Sequence, residues 1–480
     1  MEYPSVIFWL LFALAAWSRG PGVYYLFFGS WAFGTLAVIP PSMVGGISLT
    51  PAWVAAGLLS FKILLGVGPV RFASALLDLR RFGFLTLCTA YALLSAVILP
   101  RVFEGQVDVI VMRLTTVSAP QALAPSPSNF TQAFYFLLTW ATTVSLYFGA
   151  RDPATRAKLF AAFRFGAAVT VITGLIDLAA ANLGLTSLLT PYRNAAYALL
   201  TDTEVMGVKR IVGLQSEASA YASICMAFLA PTLLIDSQPR AIGGGALVKW
   251  ALTISLFAAT YMSTSSGGLV GLAALLLVAA AATSTDALKL RPTALFGLLL
   301  TLTMACIGLA VWVWRPETFH PIMEVIEGLV LRKSSTDSYI ERSMWNRTAF
   351  EAFLGTYALG AGMGAVRASS WPFAVLGNIG LPGALLLATF LIQIALASDR
   401  SGSKTLARLA TAAKLALIPN LLLASLSGTS VGYGLGAAWL ISLVAAVAWP
   451  QRTAVQSGAA GDTGTPWVIV SPGPPVASRR

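Results

Sequence analysis

Apolar runs of about 20 residues recur along nearly the whole chain, and they constrain its fold more than any other feature. A helix needs about 20 mostly apolar residues to cross the hydrocarbon core of a bilayer. Because backbone groups in lipid must bond internally, such runs are expected to be helical. They lie near residues 4–18, 22–39, 50–66, 82–99, 131–149, 165–184, 216–235, 249–263, 267–283, 293–314, 373–397, 415–428 and 431–449. We predict an all-α, polytopic integral membrane protein with 12–13 transmembrane helices formed by residues 1–450.

Basic residues are distributed unevenly between the two ends of the predicted spans. If odd-numbered spans run inward, the inner loops hold 19 of the 31 Lys and Arg residues but only 6 acids. The outer loops hold 11 basic and 12 acidic residues, while Lys62 and Asp177 fall within spans. This is the positive-inside bias of membrane proteins. It explains the net charge of +12 without nucleic acid as a partner.

Few other compositional features are informative. The three cysteines, Cys88, Cys225 and Cys306, fall in predicted spans without the spacing of a disulfide framework or a metal site. We interpret them as packing residues. The segment 451–480 is rich in Gly, Pro, Ser and Ala and is predicted to be a disordered cytoplasmic tail.

Three outer segments are long enough to form a site: residues 100–130, 186–215 and 315–372. The third is predicted to be the large outer loop. Its first part, residues 317–332, has the apolar spacing of an amphipathic helix that lies on the membrane. The chain's one histidine, His320, falls on that helix and is interpreted as an interfacial residue.

The most informative polar segment runs from Arg210 to Ser219 and leads into an apolar span. Ionisable groups at such a position are costly, so they need a partner or a ligand. Ser216 is a predicted N-cap, and the helix after it would direct free N–H groups and a positive dipole end toward an anion. The guanidinium group of Arg210 is suited to phosphate. With Glu217 beside it, this segment predicts an anion site at a membrane surface.

A second group of candidate site residues precedes the eleventh predicted span. In chain order they are Arg342, Trp345, Arg347, Gly362, Gly364, Arg367 and Ser369. Arg342 and Trp345 would share one face of a helix, and alternating glycines allow backbone to approach a ligand closely. Together with Arg210, these arginines suit a lipid-linked diphosphate. Alternatively, the arginines pair with nearby acids and only hold the loop in place; those acids are Glu204, Glu217, Glu341 and Glu351.

Four motifs in this region resemble those of the O-antigen ligase and polymerase superfamily. Arg210-x-x-Gly213-x-x-x-Glu217-x-Ser219 resembles the Arg…Gly…Ser-Glu-Pro-Ser signature of its bacterial polysaccharide polymerases. Ser263-Thr-Ser-Ser266-Gly-Gly is similar to its Ser-Arg-Gly turn. Arg342-x-x-Trp345, followed by Gly360-x-Gly362-x-Gly364, resembles its large periplasmic loop, and Leu376-Gly-Asn-Ile-Gly380-Leu-Pro-Gly383 resembles the return of that loop. The resemblance covers roughly residues 165–400.

Two positions depart from the family pattern. Ser266 stands where the family has a second arginine. Arg367-Ala-Ser-Ser370-Trp371 stands where its ligases carry a histidine. These departures argue against the ligase branch and favour the exopolysaccharide and O-antigen polymerases, with Arg367 supplying the missing positive charge.

The resemblance implies a GT-C-like glycosyltransferase in the bacterial inner membrane, with its site facing the periplasm. Its donor would be an oligosaccharide on undecaprenyl diphosphate, and its acceptor a second lipid-linked repeat unit. Arg210, Arg342 and Arg367 would stabilise the departing diphosphate, while Glu217 would orient Arg210 or accept the acceptor's proton. The substrate would be contacted by Gly213, Ser219, Ser266, Trp345, Arg347, Gly362, Gly364 and Ser369. Membrane lipids and a chain-length regulator protein are expected partners, and no cofactor or metal is implied.

Three other interpretations stay open. Asp202-Thr-Glu204 offers two oxygen ligands that could hold Mg²⁺ or Mn²⁺ against a diphosphate. A ligase that transfers glycan to lipid A core would have the same fold with a different acceptor. A flippase or other polysaccharide transporter should line its pathway with polar groups at the bilayer midplane, whereas most outer charge here lies in loops.

Overall fold

The computed structural model describes residues 2–44, 48–112, 119–196, 199–201, 204–205, 208–235, 245–287, 337–399 and 402–449. Some sequence predictions fall outside these ranges. They are the span at 293–314, Cys306, the amphipathic segment 317–332 with His320, the loop residues 315–336, Asp202 and the tail 451–480.

The described residues form fourteen α-helices. They are α1 (Tyr3–Trp17), α2 (Gly22–Gly29), α3 (Pro51–Val67), α4 (Pro69–Leu77), α5 (Gly83–Val102), α6 (Pro127–Arg151), α7 (Pro153–Asn182), α8 (Ala218–Leu234), α9 (Ala246–Met262), α10 (Ser266–Ala287), α11 (Asp337–Gly355), α12 (Trp371–Leu396), α13 (Lys404–Ser427) and α14 (Gly434–Ala448). Short 3-10 helices are Ser30–Ala32, Pro41–Val44 and Thr186–Tyr192. Two antiparallel strand pairs are β1 (Asp108–Val109) with β2 (Gln121–Ala122) and β3 (Glu204–Val205) with β4 (Val208–Lys209).

Five of these helices are long and apolar enough to cross a membrane: α5, α6, α7, α12 and α13. A sixth candidate is the pair α3 and α4, which bends by 107° at Gly68. Shorter apolar helices are α1, α8, α9, α14 and residues Ser266–Ala282 of α10. The chain is therefore an all-α polytopic membrane protein, as the apolar runs predict. Cys88 and Cys225 are buried and unbridged within it.

The second predicted span, residues 22–39, is wrong as a membrane-crossing helix. The α-helix there ends at Gly29 and is followed by the 3-10 turn Ser30–Ala32. Eight helical residues cover about 12 Å, against about 30 Å of hydrocarbon. Beyond the turn, the Thr35 N–H donates to the Leu214 carbonyl at 3.1 Å. This contact with a distant loop gives the Thr35 N–H a partner that a helix would otherwise supply. The apolar composition of residues 22–39 does not predict such a contact.

Helix α14 lies at the centre of the bundle, where it packs against α6, α8 and α13. Residues Ala437 to Leu443 of this helix are all buried. Trp439 is fully buried, and its ring lies 5.5–6.1 Å from the rings of Phe28, Phe160 and Phe163. A helix that is apolar on every side is typical of such a core position. Although it has only 15 residues, α14 is therefore a core helix of the bundle.

Lys62 lies within a predicted span, and its charge is held by the end of another helix. Its ammonium group donates to the carbonyl oxygens of Ala15 (2.7 Å), Ala16 (3.1 Å) and Ser18 (2.5 Å). Carbonyls in the last turn of a helix lack partners within it, and a cation there also opposes the negative end of the helix dipole. Lys62 of α3 therefore caps α1 and ties the two helices together.

The Lys62→Met variant is expected to destabilise the protein by about 1–3 kcal/mol, because it keeps the apolar stem but removes a charged donor from three carbonyls. The measurement is the thermal unfolding of detergent-purified protein. Lys158→Met, at an exposed position on α7, is the control and should unfold at the wild-type temperature. Equal melting temperatures for both variants would contradict the capping role.

A second, smaller apolar cluster lies apart from the main core and supports the loops before α12. Its buried members are Phe103, Val109, Leu123, Ala349, Ala352, Ala361, Ala365, Val366, Ala368 and Ala374. Apart from Ala374 in the first turn of α12, they belong to the segment between α5 and α6, to α11, and to the segment that joins α11 to α12. We call these three parts the loop layer. The described residues between α5 and α6 are thus part of a packed layer.

Candidate functional site

Arg210 joins two loops that are distant in sequence. Its Nε donates to the Ser263 carbonyl and to Thr264 Oγ1, both at 3.1 Å, and its Nη2 donates to the Thr264 carbonyl at 3.3 Å. The backbone adds a bond from Ile211 N–H to the Met262 carbonyl at 3.3 Å. The segment before α8 is thereby attached to the turn between α9 and α10. Two of the four sequence motifs meet at this arginine.

The turn that receives Arg210 has an uncommon backbone. Thr264 has a φ of +46°, which β-branched residues rarely adopt and which persists only where surroundings impose it. Ser266, which stands at the second-arginine position of the motif that this turn resembles, is half-buried and begins α10. The turn therefore supplies acceptors that orient Arg210, and it adds no second cation to the site.

Glu217 links the start of α8 to α11. One carboxylate oxygen, Oε2, lies 3.9 Å from Nη2 of Arg342, and the other accepts a hydrogen bond from the Ser219 hydroxyl. The side chains of Glu217 and Arg342 are 35% and 29% exposed, so a ligand can reach this pair. The N-cap of α8 is Glu217 and not Ser216 as predicted, because the extended backbone at Glu217 (φ −158°, ψ 165°) places the helix start at Ala218.

Arg367 stacks on Trp345, with its guanidinium carbon 3.9 Å from the ring centroid. The Trp345 side chain is buried, and within the described residues neither its Nε1 nor Nε of Arg367 has a hydrogen-bond partner. Burial lowers the pKa of Arg367 to about 10, although Glu341 and Glu217 act in the opposite direction. The group therefore stays charged at neutral pH, held by a cation–π contact beside its carboxylate neighbours.

Arg210 belongs to the same charged group. Burial lowers its pKa, Glu217 raises it, and Arg342 lowers it further. Arg342 and Glu217 also act on the pKa of Arg367. Three guanidinium groups thus share one surface with two carboxylates, Glu217 and Glu341, which leaves positive charge in excess among these described side chains. The structure brings together the four residues predicted to be catalytic.

Two asparagines hold the backbone on either side of Arg367. Asn378 of α12 accepts from the Val366 N–H at 3.2 Å and donates to the Val366 carbonyl at 2.8 Å. Asn346 of α11 accepts from the Ser369 N–H at 2.8 Å. Ser369, which was predicted to contact the substrate, is buried. Its backbone N–H helps to hold the loop layer together.

Sequence reasoning missed these supporting residues. Besides Asn346 and Asn378, the carbonyl of Ile110 in the loop layer accepts from the Arg367 N–H at 2.8 Å. Asn378 lies in the Leu376–Gly383 motif, which was noticed in the sequence, but the motif did not indicate that Asn378 supports the loop. Ile110 offers only a backbone group, and no sequence pattern identifies such a contact.

The glycines of the loop layer pack closely against other parts of the protein. Gly362 and Gly364 have φ values of +105° and +77° and are buried. A Cβ on Gly362 would lie 2.5 Å from Cδ of Pro100, and one on Gly364 would overlap the carbonyl of Ser128. Both positions need glycine because α5 and α6 come so close. The close approach is thus to other parts of the protein, and substrate contact by these residues stays a prediction.

Gly213 packs against a neighbouring helix, and Arg347 lies apart from the other candidate residues. Gly213 has a φ of +58°, and a Cβ there would lie 2.8 Å from the ring of Tyr221. Arg347 is 81% exposed and pairs with Glu351 at 2.7 Å, one turn along α11. At about 100° per residue it lies roughly 200° around the helix from Trp345. Arg347 therefore stands apart from the other three arginines, as the pairing alternative predicts.

A metal site formed by three or more side chains is not found in the described part of the chain. In the alternative pair Asp202 and Glu204, the first residue lies outside the described ranges, and the backbone of the second pairs with Lys209 in the β3–β4 hairpin. Comparison with known proteins adds no relative: no family model matches this chain, and neither does any curated protein.

Proposed function

We propose that this protein is a polysaccharide polymerase that transfers glycan from a lipid-linked diphosphate donor to a second lipid-linked repeat unit. The observation that carries the proposal is the convergence of Arg210, Arg342 and Arg367 around Glu217. Such a group of fixed cations suits the negative charge that develops on a departing diphosphate. Arginine forks match phosphate oxygens better than lysine does.

The reaction would break the bond between the anomeric carbon and the diphosphate oxygen, and the electron pair would stay on that oxygen. A hydroxyl oxygen of the acceptor would form the new bond to the anomeric carbon and lose its proton. Nη1 of Arg210 has no acceptor within the described residues and is available to the diphosphate. Glu217 is exposed enough to take the acceptor's proton, with Ser219 holding its other oxygen.

The helix ends around the site favour the same chemistry. Helices α8, α10 and α12 all begin here, at Ala218, Ser266 and Trp371. Helix N-termini carry positive partial charge and free N–H groups, which add to the arginines when an anion approaches. A donor anchored by its lipid would bring its diphosphate to the depth at which such helix ends lie. The positive-inside bias supports a site on the periplasmic face of a bacterial inner membrane.

The transporter alternative receives less support. Of the two charged residues in predicted spans, Lys62 caps α1 and Asp177 binds two cations of the loops. Both charges thus have protein partners, whereas a transport pathway needs polar groups that face its substrate. A ligase would differ from the proposed polymerase only in using lipid A core as its acceptor. An assay with both acceptors distinguishes the two.

The test uses purified full-length protein in liposomes, a lipid-diphosphate-linked oligosaccharide, EDTA, and analysis of products by gel and mass spectrometry. A ladder of repeat-unit multiples is the expected result. Product that appears only after Mn²⁺ or Mg²⁺ is added would favour the metal-dependent mechanism. Transfer only when lipid A core is supplied would favour the ligase. No transfer with any acceptor would overturn the proposal.

A further inference from the structure

Asp177, near the end of α7, is fully buried and uses both of its carboxylate oxygens. Oδ1 accepts from Nη2 of Arg193 at 2.8 Å and from Nζ of Lys209 at 2.9 Å. Oδ2 accepts from the backbone N–H groups of Val212 at 2.9 Å and Gly213 at 3.0 Å. A buried carboxylate with two cations and two backbone donors is fully satisfied. Asp177 therefore fixes the position of the loop segments that carry these partners.

Three of these partners lie on either side of Arg210 in the sequence. Lys209 precedes it, while Val212 and Gly213 follow within three residues, so one carboxylate holds the chain on both sides of the arginine. Arg193 strengthens the arrangement because its Nη2 also donates to the Gly213 carbonyl at 3.1 Å. The backbone that carries Arg210 thus has its path set from α7.

Packing restricts the same turn from the other side. The ring of Tyr221 lies against Gly213 and leaves no room for a Cβ there. The Tyr221 hydroxyl donates to the Thr170 carbonyl of α7 at 3.0 Å. The turn is therefore enclosed between α7 and α8. From this fixed position the Arg210 side chain reaches the turn at Ser263 and Thr264.

We infer that Asp177 is a positioning residue that sets the direction of the Arg210 guanidinium group toward the diphosphate. It touches no substrate, because it is completely buried. Its effect on catalysis rests on the proposed function, whereas its effect on Arg210 does not. A carboxylate with only a structural role would influence folding and leave the exposure of Arg210 unchanged.

The test is Asp177→Asn in the full-length protein. The amide keeps the size and one acceptor, but it removes the negative charge that Arg193 and Lys209 share. The first readout is the rate at which phenylglyoxal modifies Arg210, measured by peptide mass spectrometry with the exposed Arg347 as internal standard. We expect that rate to rise about fivefold, as for loss of about 1 kcal/mol of ordering. The second readout is kcat, expected to fall about 10²-fold with little change in KM.

Two further variants make the result decisive. Asp177→Asn combined with Lys209→Met restores the original charge balance and should recover part of the slow Arg210 modification, which also serves if the single variant folds poorly. Asp78→Asn removes a partly exposed carboxylate that pairs with Arg81 at 3.1 Å and should change neither readout. A lower melting temperature with unchanged Arg210 modification would overturn the inference. Absence of transfer by the wild-type protein would count against the proposed function alone, since the modification rate does not depend on it.

Discussion

Replacing Arg210 with alanine is expected to lower the rate of polymer formation by at least about 10²-fold while the protein remains in the membrane. The change removes the cation that we propose for the leaving group, together with three hydrogen bonds to Ser263 and Thr264. Arg210→Lys should restore little, because an ammonium group cannot reproduce the planar fork. The measurement is kcat and product length in the reconstituted assay, with membrane content quantified separately.

The matched control for this experiment is Arg347→Ala. Arg347 lies two residues after Trp345 on α11 and pairs with Glu351. Its side chain is 81% exposed and faces away from the other arginines. It should support normal polymer length and yield. Normal polymer from the Arg210→Ala protein would refute the assignment of Arg210 to the site.

Replacing Arg367 with glutamine is expected to lower kcat by roughly 10–10²-fold, because it removes a cation from the carboxylate-rich side of the site. Glutamine keeps much of the stem that packs on Trp345, so the loop layer should remain folded. The wild-type rate should also fall as the pH rises through about 10, where Arg367 loses its proton. Below that pH the guanidinium group is charged, and the rate should not depend on it.

Trp345→Phe provides the companion to this variant. A phenyl ring keeps a cation–π partner for Arg367, whereas Trp345→Ala removes it. Phenylalanine should therefore retain most activity, and alanine should lose much of it at an unchanged KM for the acceptor. Equal activity of the alanine and phenylalanine variants would show that stacking does not position Arg367.

Local patterns predicted the helices well where an apolar run was long enough to fill a membrane. The runs at 131–149 and 165–184 correspond to α6 (Pro127–Arg151) and α7 (Pro153–Asn182), and α7 begins about three turns before its run. The run at 22–39 failed because Thr35 bonds to a loop almost 180 residues later in the chain. Apolar composition measures the cost of exposure to water, and it carries no information on which backbone groups find partners elsewhere.

The candidate site shows the same division. Arg210, Glu217, Arg342 and Arg367 could be selected from the sequence because charges beside apolar spans are costly and need partners. The glycines could be selected as positions of close approach, but their neighbours could not. Gly362 approaches Pro100, more than 250 positions earlier, and this contact exists only after α5 and the loop layer have packed together.

The sequence by itself determined that the chain is an all-helical membrane protein and that most of its charges lie outside the apolar runs, because both properties follow from the cost of placing polar groups in lipid. Only the tertiary structure decided that Arg367 stacks on Trp345, that Glu217 meets Arg342, and that Asp177 holds the turn of Arg210. These contacts join residues up to about 125 positions apart and depend on the packing of helices. Helix packing follows from the shapes of whole surfaces, which no short pattern of residues contains.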